Sequence, residues 1–379
     1  MSWRDAEHTT DDMVREFISI LFIVAVAILF FVACNPPPRP TPTPPIIVPP
    51  TSTLPAPMAT APLRVDGTRF VRVNRRGEIE TVKLMGAVAC CDSAKTGSGW
   101  PWASEAFLKQ AAAHGANYAH IRLGPFTNAE TPTKLFEGDP KLYRFEPYIR
   151  LAHPTPGYHS MYNPRDGWAP GYWDSVKRLL SIALNLGLYV EVDVADGWVL
   201  RNNRLVNIEG TMVNSLSPWE SAEPSIKLST PRTWHREWVE GVALETGSFP
   251  NVIYSIGNEN FLPVGKVGPD WELGIQNIIR GIEAQRGYVR HLIGTNSLLP
   301  VIEKKVDYVI THDQKAVPPR WGHPLIVNEN GDKLTAAEWA AQARRARVLG
   351  SEMMLWRGDM NETQFQAALD EMAKIQGGS

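Results

Sequence analysis

Beyond residue 62 the chain alternates short apolar runs with longer stretches whose apolar positions recur every three or four residues. The short runs are Leu84–Ala89, Tyr118–Leu123, Leu188–Val194, Val252–Ile256, His291–Gly294, Tyr308–Thr311, Leu325–Asn328 and Met353–Trp356. They lack the strict apolar–polar alternation of a half-exposed strand and read as strands buried on both faces. Helices are predicted between them. Ser104 is placed to cap Glu105–His114 and Gly115 to end it, and Asp174–Leu186 also stops at a glycine. Arg232–Thr246, Asp270–Gln285, Ala336–Leu349 and Glu362–Ile375 follow, while the fifth and sixth helices are short or irregular. A hairpin is predicted ahead of the series, Phe70–Val73 with Glu78–Lys83, turning at Asn74-Arg75-Arg76-Gly77. Eight such strands with intervening helices favour an α/β fold closed as a (β/α)₈ TIM barrel. No G-x-G-x-x-G follows a strand, so the dinucleotide-binding open sheet has no support.

The first 62 residues follow different rules. Residues 17–34, FISILFIVAVAILFFVAC, carry no charge over eighteen positions, the lower limit for a membrane-spanning helix and long for a signal-peptide core. Two readings stay open. Phe31-Val32-Ala33-Cys34 resembles a lipobox, in which Cys34 would be lipidated after cleavage; otherwise the segment stays as an uncleaved anchor. Residues 35–62 hold twelve prolines interleaved with threonine. That composition cannot pack and favours extended polyproline II, reaching at most about 90 Å at about 3.1 Å per residue. The expected organisation is a signal or anchor over 1–34, a linker over 35–62 and a barrel domain over 63–379, working outside the membrane.

Composition narrows the chemistry. A net charge of −2 offers no basic face for nucleic acid. Three cysteines exclude a disulfide framework, and no C-x-x-C pair marks a structural zinc site. Neither a G-x-S-x-G elbow, a Walker lysine loop, nor an H-E-x-x-H or H-x-H pair is present, so no metal or other cofactor is expected. Tryptophan is abundant, with twelve of thirteen beyond residue 99, which suits stacking against sugar rings as well as core packing.

The strongest chemical signal is a repeated phrase. Asn251-Val-Ile-Tyr-Ser-Ile-Gly-Asn258-Glu259-Asn260 ends the fourth strand, and Pro324-Leu-Ile-Val-Asn328-Glu329-Asn330-Gly331 ends the seventh. A carboxylate directly after a buried strand is costly unless it has polar partners or a task. Alone, each Glu reads equally as a solvated loop carboxylate. Glutamates from strands four and seven would face each other across the barrel mouth, as glycoside hydrolysis requires, one protonating the leaving oxygen and the other attacking the anomeric carbon.

On these residues the domain resembles clan A glycoside hydrolases, nearest to the family-five cellulases and mannanases, over roughly 84–356. The resemblance implies that Glu259 is the acid/base, that Asn258 holds the sugar 2-hydroxyl, and that Glu329 is the nucleophile. It further implies that Arg122, ending strand two, supports the nucleophile and that Trp356, ending strand eight, lies under the sugar. Lys83-Leu84-Met85-Gly86 opening strand one is also typical. The chain departs from the pattern at Asn260, where the family has Pro. Asp193-Val194 ends strand three where a His is usual, and Gln314 replaces the Tyr that follows His312 in strand six. These departures leave a second class open, a non-catalytic carbohydrate-binding or cell-surface interaction barrel.

His312 reads as a substrate or nucleophile contact, or as a structural His. Trp100, Trp102, Trp168, Trp198, Trp219 and Trp321 fall in loops expected on the active face, where they can line subsites although some must simply pack those loops; Trp198 is the preferred substrate contact. Trp234, Trp238, Trp271 and Trp339 fall in helices and are expected in the core. Cys90-Cys91 follows strand one, either as two buried thiols or as a vicinal disulfide. The expected partners are an oligo- or polysaccharide substrate and, through the N-terminal segment, a membrane.

Overall fold

A computed structural model describes residues 61–88, 104–123, 134–141, 143, 150–151, 161–162, 168–194, 205–206, 212–213, 233–256, 269–297, 299–312, 315–330, 334–356 and 362–377. The side chains of Arg122, Glu329 and Trp356 also lie outside the described set, although their backbone does not. Among the described residues no helix is long and apolar enough to cross a membrane; residues 17–34 lie outside them.

Eight parallel strands close into one barrel. In chain order they are β4 (Met85–Val88), β5 (Tyr118–Arg122), β8 (Tyr189–Asp193), β11 (Val252–Ser255), β12 (Ile293–Thr295), β13 (Tyr308–Thr311), β14 (Leu325–Asn330) and β15 (Glu352–Trp356), and β15 pairs back onto β4. All eight predicted strands are present, in sequence order around the ring. The outer helices are α1 (Glu105–Ala113), α2 (Tyr172–Asn185), α3 (Thr233–Thr246), α4 (Pro269–Arg286), α5 (Pro300–Glu303), α6 (Ala336–Leu349) and α7 (Glu362–Gly377). α5 is a single turn, and among the described residues no helix joins β13 to β14, as the irregular fifth and sixth segments led us to expect.

Local chemistry accounts for the helix ends. The Ser104 hydroxyl accepts from Phe107 N–H at 3.2 Å and caps α1. Thr335 and Glu338 form a reciprocal capping box on α6, which ends at Gly350 with a positive φ of 82°. Trp238, Trp271 and Trp339 are fully buried between the helices and the sheet, as expected.

Three antiparallel strands, β1 (Arg64–Asp66), β2 (Arg69–Val73) and β3 (Ile79–Val82), precede the barrel in the order β1-β2-β3. The predicted hairpin is β2–β3, with Val73 opposite Ile79; β1 was not foreseen. This sheet lies against the N-terminal end of the barrel. Phe70 meets Tyr308, the first residue of β13, edge to face at 5.7 Å, and the Tyr189 hydroxyl at the start of β8 donates to the Ala61 carbonyl at 3.0 Å. A covered N-terminal end leaves the C-terminal face as the place for a site.

Two short ribbons lie inside the long loops of the C-terminal face. They are β6 (Arg150–Leu151) with β7 (Met161–Tyr162), and β9 (Leu205–Val206) with β10 (Met212–Val213).

Register decides what points inward, because residues directly paired across parallel strands share a face. One interior row runs Gly86, Tyr118, Tyr189, and another His120, Glu191, Ile253. Gly294 pairs with Tyr308. A Cβ on Gly86 would collide with Tyr118, and one on Gly294 with the Tyr308 ring. Gly86 therefore admits the close approach of the Tyr118 backbone and ring, and Gly294 makes room for the Tyr308 ring.

Candidate active site

The strand ends assemble the rim. Arg122 pairs with Asp193 and Asp193 with Ser255, so strands two, three and four end at one level. Ile256 is the last described residue of the strand-four phrase; Asn258 and Glu259 follow it and lie outside the described residues, as do Trp198, Cys34, Cys90 and Cys91. Glu329 lies in β14, in the stretch where the register against β15 slips: Val327 opposes Met353, yet Asn330 opposes Leu355. Three steps along β14 thus match two along β15, and the extra residue falls at the strand-seven phrase. Such bulges re-aim side chains and concentrate beside active sites. Trp356 ends β15, opposite Val88. The backbone thus brings Arg122, Glu329 and Trp356 to one rim, together with the approach to Glu259.

His312 directly follows β13 and is half-buried. Its Nε2 is in hydrogen-bonding contact with Nδ2 of Asn296, the residue after β12, which is itself buried. The contact places both side chains at the C-terminal ends of strands five and six.

Of the tryptophans in loops expected on the active face, Trp168 is one that packs its loop and Trp321 is away from that face. Trp168 packs on the outer helices, 5.3 Å from Trp173 of α2 and 6.0 Å from Trp238 of α3, where Gly241 gives it space. Trp321 lies in the connection entering β14, at the opposite end of the barrel. Its indole donates to Glu303 at 2.5 Å, and Lys304 sits 4.5 Å from its ring centroid. Loop membership alone misled for Trp321, because loops at both ends of a barrel look alike in sequence.

Below the rim lies a cluster that the motif reading missed. His120, Glu191 and Asp193 are buried to 2% exposure or less. His120 Nε2 lies 2.7 Å from Asp193 Oδ2 and 3.8 Å from Glu191 Oε1. Glu191 Oε2 is 2.6 Å from the Tyr118 hydroxyl and 3.0 Å from the Tyr308 hydroxyl. Burial pushes the Glu191 carboxyl up, the His120 imidazole opposes that rise and the Asp193 charge adds to it. Burial, reinforced by Glu191, drives both tyrosine hydroxyls far above their ordinary range.

One imidazole and two carboxylates with donor atoms within 4.8 Å of each other could in principle hold a cation. However, ligands about 2.0–2.2 Å from a tetrahedral zinc stand well over 3 Å apart. The 2.7 Å His120–Asp193 separation is shorter than that and is the spacing of an ion pair in direct contact, and Glu191 Oε2 already meets two hydroxyls. As it stands the cluster is a polar network. A period-2 signal was available in the sequence: His120 and Arg122, then Glu191 and Asp193, set alternate polar positions in otherwise apolar strands.

Comparison with known proteins adds the following. No protein-family profile and no curated protein matches the sequence. Solved structures do match. A family 5 mannosidase from Rhizomucor miehei aligns over 85% of this chain and 100% of its own, with 13% identity and a TM-score of 0.51. The barrel is built like those of glycoside hydrolases. A candidate glycoside hydrolase from Bacteroides vulgatus aligns over 80% of this chain, with 15% identity and a TM-score of 0.53. The chain spans 56% of that protein's length, and 64% of a family 5 glycoside hydrolase from the same organism (14% identity over 81% of this chain, TM-score 0.48). At such identities the likeness establishes the fold alone, a (β/α)₈ TIM barrel.

Proposed function

We propose that this chain is a retaining glycoside hydrolase that cleaves β-glycosidic bonds by double displacement, with Glu259 as acid/base and Glu329 as nucleophile. The observation that carries the reading is topological. Two Asn-Glu-Asn phrases occur in the chain; one follows strand four and the other ends strand seven of a closed eight-stranded barrel. The structures that share this barrel include glycoside hydrolases.

In this reading Glu329, supported by the Arg122 cation, stays ionised and attacks the anomeric carbon. Glu259 holds its proton through repulsion from Glu329, gives it to the leaving oxygen, and becomes the base once esterification removes that repulsion. Asn258 holds the 2-hydroxyl, and His312, Trp356 and Trp198 contact the sugar. The pathway uses no cofactor. The substrate is an oligo- or polysaccharide met outside the membrane, to which the chain is tethered through Cys34 lipidation or an uncleaved segment.

The test is hydrolysis of aryl β-glycosides and of β-glucan, mannan and xylan by the wild type, Glu259→Gln and Glu329→Gln. Loss of several orders of magnitude in both variants is expected. Activity that survives either change would show the wrong residues, and a wild type that binds a glycan without cleaving it would make this a binding barrel. Labelled fatty acid incorporated by the wild type and not by Cys34→Ala would separate the two anchors.

A further inference from the structure

The buried cluster can be read one proton at a time. The Tyr308 hydroxyl lies 2.9 Å from the Tyr254 carbonyl oxygen and 3.0 Å from Glu191 Oε2. It has one proton, and a carbonyl oxygen can only accept. That proton can serve the Tyr254 carbonyl or the Glu191 carboxyl but not both; a proton on Glu191 lets both contacts close, with Tyr308 donating to the carbonyl and Glu191 donating to the Tyr308 oxygen. The Tyr118 hydroxyl, 2.6 Å away, then donates to the same Glu191 oxygen. His120 does not need Glu191 as its anion, because Asp193 is 1.1 Å nearer to Nε2, at 2.7 Å against 3.8 Å. The titratable groups facing Glu191 are Tyr118 and His120 from β5, Asp193 from β8 and Tyr308 from β13; β11 presents Ile253 in register.

We propose that Glu191 stands at neutral pH as an undissociated acid, a positioning residue that ties Tyr118 to Tyr308 and keeps a further negative charge out of the barrel beneath the reacting carboxylates. An ionised Glu191 would raise the pKa of any carboxylate above it and so oppose an ionised nucleophile. The protonation state rests on the contacts alone, whereas its consequence for catalysis rests on the hydrolase reading.

Infrared difference spectroscopy of the full chain at pH 7, wild type minus Glu191→Gln, tests the first part. The expected result is a carboxylic acid C=O band in that difference, shifted in D₂O, with the bands of other protonated carboxyls such as Glu352 cancelling. Its absence at pH 7 overturns the proposal. Glutamine is uncharged and nearly isosteric, so the urea midpoint is expected to stay close to that of the wild type. A fall of more than tenfold in the folding constant would instead mean that an ionised Glu191 had been holding a buried imidazolium. If the wild type hydrolyses glycosides, the acidic limb of its kcat/KM profile should keep its position in Glu191→Gln; a limb moved to lower pH overturns the electrostatic role. A wild type with the infrared band and no hydrolysis would remove the hydrolase reading while leaving the neutral acid in place.

Discussion

Glu352 opens β15 inside the barrel near its N-terminal end and is 3% exposed. Its carboxylate meets Lys83 Nζ at 3.4 Å and accepts from the Leu84 N–H. Burial outweighs both contacts and pushes its pKa up to about 7 from an ordinary 4.5. The sign follows from proton binding. Between these two values the folded chain holds a proton that the unfolded chain has released, so stability is full below about pH 4.5 and falls as pH rises toward 7. That difference corresponds to about 3 kcal/mol between pH 4 and pH 8. Glutamine cannot ionise and should remove the loss. In urea unfolding followed by tryptophan fluorescence, Glu352→Gln is expected to match the wild type within about 1 kcal/mol at pH 4 and to exceed it by about 3 kcal/mol at pH 8. A difference between the two proteins that does not change with pH would refute the argument. So would a variant less stable than the wild type at pH 8, which would show that the Lys83 contact outweighs burial.

Other substitutions test the fold and the site. Gly294→Ala places a methyl against the Tyr308 ring and is expected to cost about 1–3 kcal/mol, or more if the ring cannot shift, measured by chemical denaturation. Ser104→Ala removes the α1 cap and should cost about 1 kcal/mol in the same assay. Trp168→Ala should lower stability by about 2–3 kcal/mol while leaving KM for any substrate unchanged, because the ring packs on α2 and α3; a selective rise in KM would return it to the binding face. In the hydrolysis panel, Glu329→Gln and Glu259→Gln should each lose at least about a thousandfold in kcat, since each removes a group that acts on the reacting bond.

Much of the architecture was legible because buried parallel strands leave a simple trace. Leu188–Val194 and Val252–Ile256 are apolar on both faces, and the helices between strands begin or end on caps such as Ser104 and Gly187. The strand-end position of Glu329 was legible for the same reason, as a carboxylate directly after an apolar run. What the sequence left out were features whose partners lie far along the chain. β1 has only three residues and is fixed by pairing with β2. The β14 bulge exists only relative to β15. Trp168 and Trp321 share a loop-like context, yet one packs on helices and the other caps the far end of the barrel.

The sequence by itself determined the order of strands and helices, the phrases that end strands four and seven, and the apolar and proline-rich segments that precede the barrel. Each is written in neighbouring residues, through periodicity, capping or composition. The tertiary structure decided what the barrel interior contains. Gly86 gives room to Tyr118, Gly294 to Tyr308, and the closed sheet brings His120 beside Asp193 from a separate strand. Side chains from strands far apart in the chain become neighbours only on closure. There, away from water, their charges and protons must be settled among themselves.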